Sequence, residues 1–546
     1  MAQEYKLAGV SALDLHPGHK LEVEVEGISG AKVLLVNVGG KIHALGSRCT
    51  HYGAPMAKGV LGPTGRLTCP WHGACFDAKT GDVEDAPALD ALPTFEIKEK
   101  AGAFYITGDE ETIKSSRRKP NIECRPAGAG STKADGRVVV VGGGCGAIAV
   151  IEGLRESGHT QPITVISSEG HLPFDRTKLS KALIADYNKV ALRDQAWFDR
   201  GSVEWIHGEV TAVDFPKHEV TTKAGARYAY SKLVLATGGT AKMLPLSGFS
   251  SLNNVFTLRN LHDTTRISEA LGEGGKKMVI IGSSFIGMEV AVATAKNNSV
   301  TVVGMEKTPL ERVLGGEVGH GIRKLLEAKG VTFHMEAGVD RAEPSARDPS
   351  VVGAVHLKDG TKLEADLVIL GVGVSPATTF LRDNAGISLE QDGSIRTDDN
   401  FAVVGADDAY AIGDIATYPY RGPGGDGSLV RIEHWDVAQN AGRVVAAHIA
   451  GPQASKEQFI PVFWSALGAQ LRYCGNTVMG WDDLVLQGSS AEGKFVAYYT
   501  KGETVVAVAS MGMDPAIAQS VELMKLGKMP SKSQVKQGVN LFEIAF

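Results

Sequence analysis

Two stretches 140 residues apart share one architecture, and together they fix the fold class of most of the chain. "RVVVVGGGCGAIAVIEGLRESG", from Arg137, reads as an apolar strand, a glycine turn and a helix, with "PITVIS" as the next strand. "KKMVIIGSSFIGMEVAVATAKNNSVTVVGME", from Lys276, repeats the pattern. Strand–helix alternation of this kind builds parallel sheets covered by helices, so two doubly wound α/β units are expected. The glycine turn brings backbone N–H groups and a helix N-terminus toward one point, where a pyrophosphate is stabilised. The first fingerprint is Gly142, Gly144 and Ala147; the second is Gly282, Ser284 and Gly287, with serine in the middle place. Either alone is also what a tight strand–helix turn requires. The pair argues for two dinucleotide sites, and Glu169, after the second strand of the first unit, stands where an acid accepts from a ribose hydroxyl.

The flanking regions read differently. Residues 1–108 alternate short segments such as "HKLEVEVE" and "AKVLLVNVGG" with turn residues, the pattern of a small antiparallel β domain. Residues 109–135 are charged, then rich in Gly, Ala and Pro, without periodicity, and read as a linker. The first α/β unit is expected over 136–260 and 391–451, the second over 261–390. An α+β domain over 452–546, carrying "KFVAYYTKGETVVAVAS" and a helix, closes the chain.

Within the β domain, "RCTHYGAPM" holds Cys49 and His51, and "CPWHGACF" holds Cys69 and His72. Two thiols and two imidazoles on two short loops suit a structural Cys₂His₂ zinc site, or a [2Fe–2S] cluster with cysteines on one iron and histidines on the other. The spacing, with Gly53 and Gly73 after each pair, resembles the Rieske family over about residues 5–107. That resemblance implies a cluster offered on two loops, with the histidines at its exposed edge as the electron exit. Respiratory Rieske proteins add a bridging cysteine to each loop; here Ala54 and Trp71 stand there. Ala74 and Phe76 stand where hydroxyl donors to the cluster would be, and fewer such donors lower the potential. Cys75 is then expected to be a buried free thiol.

"LVLATGG", with Thr237 and Gly238, "LVILGVGVSPAT", with Gly373, and "AYAIGDIA", with Asp414, resemble the two-dinucleotide FAD/NAD(P)H reductases. "LPFDRTKLSK" and "RIEHWDVAQNAG" are similar to segments of the branch containing apoptosis-inducing factor and the oxygenase-coupled ferredoxin reductases. The resemblance implies that Asp414 binds the flavin ribityl chain, that Arg176 and Lys181 approach the flavin, and that Trp435 lies against it. It further implies a pair of Lys181 and Glu289 beside flavin N5. "PVFWSALG" resembles a flavin-side segment, with Trp464 also readable as core. Relatives place an acid directly after the second strand of the NAD unit. Here Gly304 occupies that place and Glu306 follows two residues on, which favours NADH; Lys307 and Arg312 leave NADPH open. No CxxC or CxxxxC provides a redox disulfide, so electrons must leave the flavin another way.

Composition excludes other classes. With 56 basic against 62 acidic residues and no basic run, a nucleic-acid partner is not expected. Six cysteines in 546 residues point to a reducing compartment, and no apolar run reaches the roughly 18 residues of a membrane span. The N-terminus reads as neither signal nor transit peptide, so a cytoplasmic location is expected. Outside the cluster loops only His16 and His19 lie close together, too little for an oxygenase iron triad. The function expected is electron transfer from NAD(P)H through FAD to a Rieske cluster and on to an acceptor, whether oxygenase, cytochrome or small molecule. A flavoenzyme reducing a small organic substrate directly, or a redox-sensing or cell-death signalling protein, are the alternatives. A homodimer is compatible with the sequence.

Overall fold

A computed structural model describes residues 3–124, 136–384, 386–451 and 459–546. The first strands form an antiparallel six-stranded sheet from Gln3–Lys6, Lys20–Glu24, Lys32–Val38, Lys41–Gly46, Thr94–Lys100 and Ala103–Gly108. Beside it lies a four-stranded sheet of very short strands, Val60–Leu61, Arg66–Thr68, Cys75–Asp77 and Val83–Asp85. Alternation puts Val33 and Leu35 into one core and Leu34 and Val36 into another, so the Lys32–Val38 strand is buried on both faces.

The two βαβ signals become two parallel five-stranded sheets. The first orders Val203–His207, Ile163–Ser167, Val138–Val141, Lys232–Leu235 and Ala409–Ala411; the second orders Val255–Phe256, Leu367–Leu370, Lys277–Ile281, Ser299–Val303 and Val331–His334. Ala409–Ala411 rejoins the first sheet after the second has formed. Val255–Phe256 pairs with Val368 and Ile369 and so belongs to the second sheet, ahead of the boundary expected at residue 260. An antiparallel five-stranded sheet from Val462–Ala466 to Thr504–Met511, with the helix Ala516–Lys525 against it, ends the chain.

The linker expectation needs correction over its first half. Asp109 caps a helix at Glu110–Ser115, its side chain accepting from Thr112 N–H. Ile113 is buried in the core of the N-terminal β sheet, and Ile122 in the core of the first α/β unit. An apolar residue every few positions was too sparse a signal in a charged stretch, yet it pins the segment. Residues 125–135 lie outside the described residues.

The N-terminal β unit is docked against the rest through buried polar contacts. Arg66 Nε donates to Glu522 at 3.1 Å, Lys525 pairs with Asp85 at 2.9 Å, and Arg193 pairs with Asp90 at 2.6 Å. Ala86 N–H donates to Asn440 Oδ1 at 2.9 Å, and Tyr52 donates its hydroxyl to Asp175. Charges removed from water must be paired, and these pairs specify one seating of the unit.

Candidate functional site

The two cysteine–histidine loops fold alike. Cys49 N–H donates to Ala54 C=O at 2.8 Å, and Cys69 N–H to Ala74 C=O at 2.8 Å. Gly53 and Gly73 take φ of 76° and 77°, a left-handed turn that disfavours side chains. This local two-fold brings each loop's cysteine to the other's and each histidine to the other's. The thiols of Cys49 and Cys69 are within hydrogen-bond contact, both buried, and Nδ1 of His51 lies 3.1 Å from Nδ1 of His72. Burial pushes the imidazoles down, to about 3 for His51 and about 2 for His72, so both are neutral, the ligating form. Pairing sulfur with sulfur and nitrogen with nitrogen fits a two-iron centre with two ligands of one kind on each iron. Ala74 and Phe76 are buried without a hydroxyl to offer, and Cys75 is a buried free cysteine.

The histidine edge is not at the surface. His72 is only 6% exposed and His51 is half-buried. Trp464, from the Val462–Ala466 strand, lies with its ring centroid 4.8 Å from that of His72 and 5.5 Å from that of His51. The expectation that this edge is exposed is therefore corrected. Tertiary docking, which no local pattern reports, turns the edge inward.

What it faces is a cleft of about 990 Å³. Gly142, Gly144, Glu169, Arg176, Lys181, Thr237, Gly238, Asp414 and Trp435 all line it, as do Glu289 and Trp464. Ala147 is buried one turn into the helix that Gly144 caps. Gly142 has φ 110°, and a Cβ there would stand 2.2 Å from Ala236 C=O, so the loop tolerates no side chain. The second loop repeats this at Gly282, where a Cβ would meet Gly371 C=O at 2.4 Å. The serine in its middle place caps the helix Phe285–Ala295, Ser284 Oγ accepting from Gly287 N–H. That helix sends Phe285, Ile286 and Glu289 into the cleft. Gly373, with φ 94°, follows the second sheet's strand Leu367–Leu370.

Glu289 is 3% exposed and saturated with donors. Lys181 Nζ lies 3.0 Å from Oε1, Ser465 Oγ donates to Oε1 at 2.6 Å, and Ser180 Oγ donates to Oε2. These donors fix the carboxylate in one orientation and hold the Lys181 side chain beside it. The sequence paired Lys181 with Glu289 but missed the two serines. It also missed Arg259, whose guanidinium reaches Asp414 Oδ2 at 2.7 Å while its C=O accepts from Arg176. Arg176 in turn meets Glu169 at 2.6 Å. Two guanidiniums inside a cleft lined by glycine-loop N–H groups suit an anionic dinucleotide. Two buried polar atoms on its walls, His434 Nδ1 and Trp464 Nε1, have no protein partner, as a cleft shaped for a polar ring leaves them. Glu306 is held by Ser283 Oγ at 3.1 Å and by Arg312 at 2.8 Å.

Known proteins match these parts. The Rieske [2Fe-2S] domain family matches residues 3–96, the pyridine nucleotide-disulphide oxidoreductase family 136–442, and the reductase C-terminal family 462–543. Apoptosis-inducing factor 3 of Mus musculus and of Homo sapiens is 38% identical over 96% of this chain and 84% of theirs. The benzene 1,2-dioxygenase system ferredoxin–NAD(+) reductase subunit of Pseudomonas putida is 31% identical over 66% of this chain and 85% of its own. Among solved structures, the covalent putidaredoxin reductase–putidaredoxin complex aligns with a TM-score of 0.70 at 29% identity, covering 75% of this chain and 98% of that one.

Proposed function

The chain belongs to the apoptosis-inducing factor 3 family of Rieske-bearing pyridine nucleotide-disulphide oxidoreductases, and from that premise we propose how its residues divide the work. It is an NAD(P)H-dependent FAD oxidoreductase with a Rieske [2Fe–2S] centre, passing electrons from the nicotinamide through the flavin to the cluster and on to an acceptor. A bound flavin would supply two-electron hydride acceptance with one-electron release, and the cluster would supply one-electron transfer.

The Gly142–Gly144–Ala147 turn presents backbone N–H groups to the FAD pyrophosphate, with Arg176 and Arg259 neutralising its charge and Glu169 on the adenosine ribose. Asp414 takes the ribityl hydroxyls, Thr237 and Gly238 line the approach, and Trp435 supports the ring. Gly282, Ser284, Gly287 and Gly373 make room for NADH, and Glu306 accepts from its ribose. Glu306 also repels a 2′-phosphate, which makes NADH the coenzyme. Lys181, fixed by Glu289, orders the place where the nicotinamide stacks. Cys49, Cys69, His51 and His72 hold the irons. Residues 1–108 form the cluster domain, 136–254 with 391–451 the FAD domain, 255–390, from the strand Val255–Phe256 on, the NAD domain, and 452–546 the closing domain.

One observation carries this reading: Trp464 touches both imidazoles and also lines the cleft that holds Lys181 and Glu289. The benzene dioxygenase reductase subunit and putidaredoxin reductase are named with a ferredoxin or a complexed carrier. Here a cluster domain is part of the same chain and is docked on the reductase body, and the acceptor beyond it is a further one-electron carrier. Anaerobic titration with NADH, followed by visible absorption and electron paramagnetic resonance, tests the reading. Flavin bleaching together with a Rieske-type signal is expected; bleaching without any cluster signal refutes it.

A further inference from the structure

With the imidazole edge turned toward the cleft, electrons that reach the cluster need another way out. The imidazole pair is packed against aromatic rings. Trp464 packs against both rings, and the ring of Tyr52 lies flat on that of His51, centroids 3.7 Å apart and planes 16° apart. Trp71 is a poorer neighbour, its ring 6.3 Å from that of His72 and tilted by 67°. Tyr52 is half-buried and the next residue, Gly53, is exposed, so the stack runs from His51 toward the surface.

Two cations flank this point. Lys178 Nζ stands 5.1 Å from the Tyr52 ring centroid, and Arg117 donates to the C=O of Thr50, the residue before His51. Their side chains remain 35% and 42% exposed. The carboxylates they meet, Asp175 and Asp90, are buried beneath them, so positive charge faces outward. On a chain of net charge -6, an acidic protein is repelled over most of the surface and oriented by such a local positive spot.

We propose that Tyr52 is the electron outlet of the cluster, and that Lys178 and Arg117 form the docking collar for an acidic one-electron carrier protein. This rests on the proposed function above. Each encounter moves one electron from the reduced cluster to the carrier's oxidised centre. Two carriers are therefore reduced for each NADH converted to NAD⁺ and a proton.

The test uses the holoprotein with two probes, cytochrome b5 as an acidic carrier and cytochrome c as a basic one. In Tyr52→Leu with its iron retained, NADH bleaches the flavin and fills the cluster as in the wild type, but onward reduction of both cytochromes falls severalfold. Tyr52→Phe, which keeps the ring, passes electrons normally. Lys178→Gln weakens binding of oxidised cytochrome b5, measured by calorimetry, and flattens its salt dependence, while cytochrome c is unaffected. Wild-type onward rates in Tyr52→Leu overturn the outlet. Unchanged cytochrome b5 binding in Lys178→Gln overturns the collar, and that measurement decides alone if Tyr52→Leu loses its iron. If NADH fails to fill the wild-type cluster, it is the proposed function that falls, before the outlet is reached.

Discussion

Glu152, Arg193 and Asp90 form a buried ion chain where the cluster domain meets the first α/β unit. Arg193 Nε donates to Glu152 Oε1 at 2.9 Å, its Nη2 reaches Asp90 at 2.6 Å, and Glu152 Oε2 has no partner. Burial pushes the Glu152 carboxyl up from 4.5 to about 7, against the opposing pull of the Arg193 and Arg443 guanidiniums. Between those values the folded chain holds a proton that the unfolded chain has released. Stability contributed by this group is therefore full at the acid end, declines as pH rises through the window, and levels off above it. At 1.36 kcal/mol per unit, the decline is roughly 3 kcal/mol. Glu152→Gln keeps the shape and removes the titration. Urea midpoints, followed by circular dichroism on the holoprotein from about pH 5 to about pH 8, give the comparison. Wild type and variant should nearly coincide at the acid end and part as pH rises, the variant becoming the more resistant. Parallel midpoints across the range, or a wild type that gains on the variant with pH, would refute the reasoning.

Protein purified without oxygen should contain iron and no zinc, with a cluster midpoint near the low end for Rieske centres, on the order of -150 mV, because Ala74 and Phe76 donate nothing. A midpoint above about +100 mV contradicts that account. Lys181→Ala should slow flavin bleaching by NADH about tenfold or more with iron content unchanged, and an unaltered rate removes Lys181 from the hydride site. Glu306→Ala should raise the use of NADPH relative to NADH about tenfold, since one carboxylate no longer opposes a phosphate; an unmoved ratio in steady-state kinetics places the ribose elsewhere.

Much of this molecule is local. The glycine loops could be read from the sequence because a strand, a φ near 100° and a helix N-terminus must follow one another within a few residues. The cysteine–histidine spacing is local in the same sense, each loop closing on itself through backbone hydrogen bonds. Ser284 was legible as a substitution but not as a helix cap. Ser180 and Ser465 lie within segments the resemblance covered, but their meeting with Glu289 left no local signal, nor did Arg259, since each acts on a residue far away in the chain.

The sequence by itself determined which chemistry the chain can hold: two parallel α/β units, two dinucleotide loops and four ligands for a pair of irons. Only the tertiary structure decided which way the cluster faces. Hydrophobic periodicity sets which side of an element is buried, but not which distant element buries it. That choice rests on buried pairs such as Arg66 with Glu522 and Arg193 with Asp90, whose partners lie far apart in the chain. Those pairs turn the histidine edge toward Trp464 and leave Tyr52 half-buried beside the exposed Gly53.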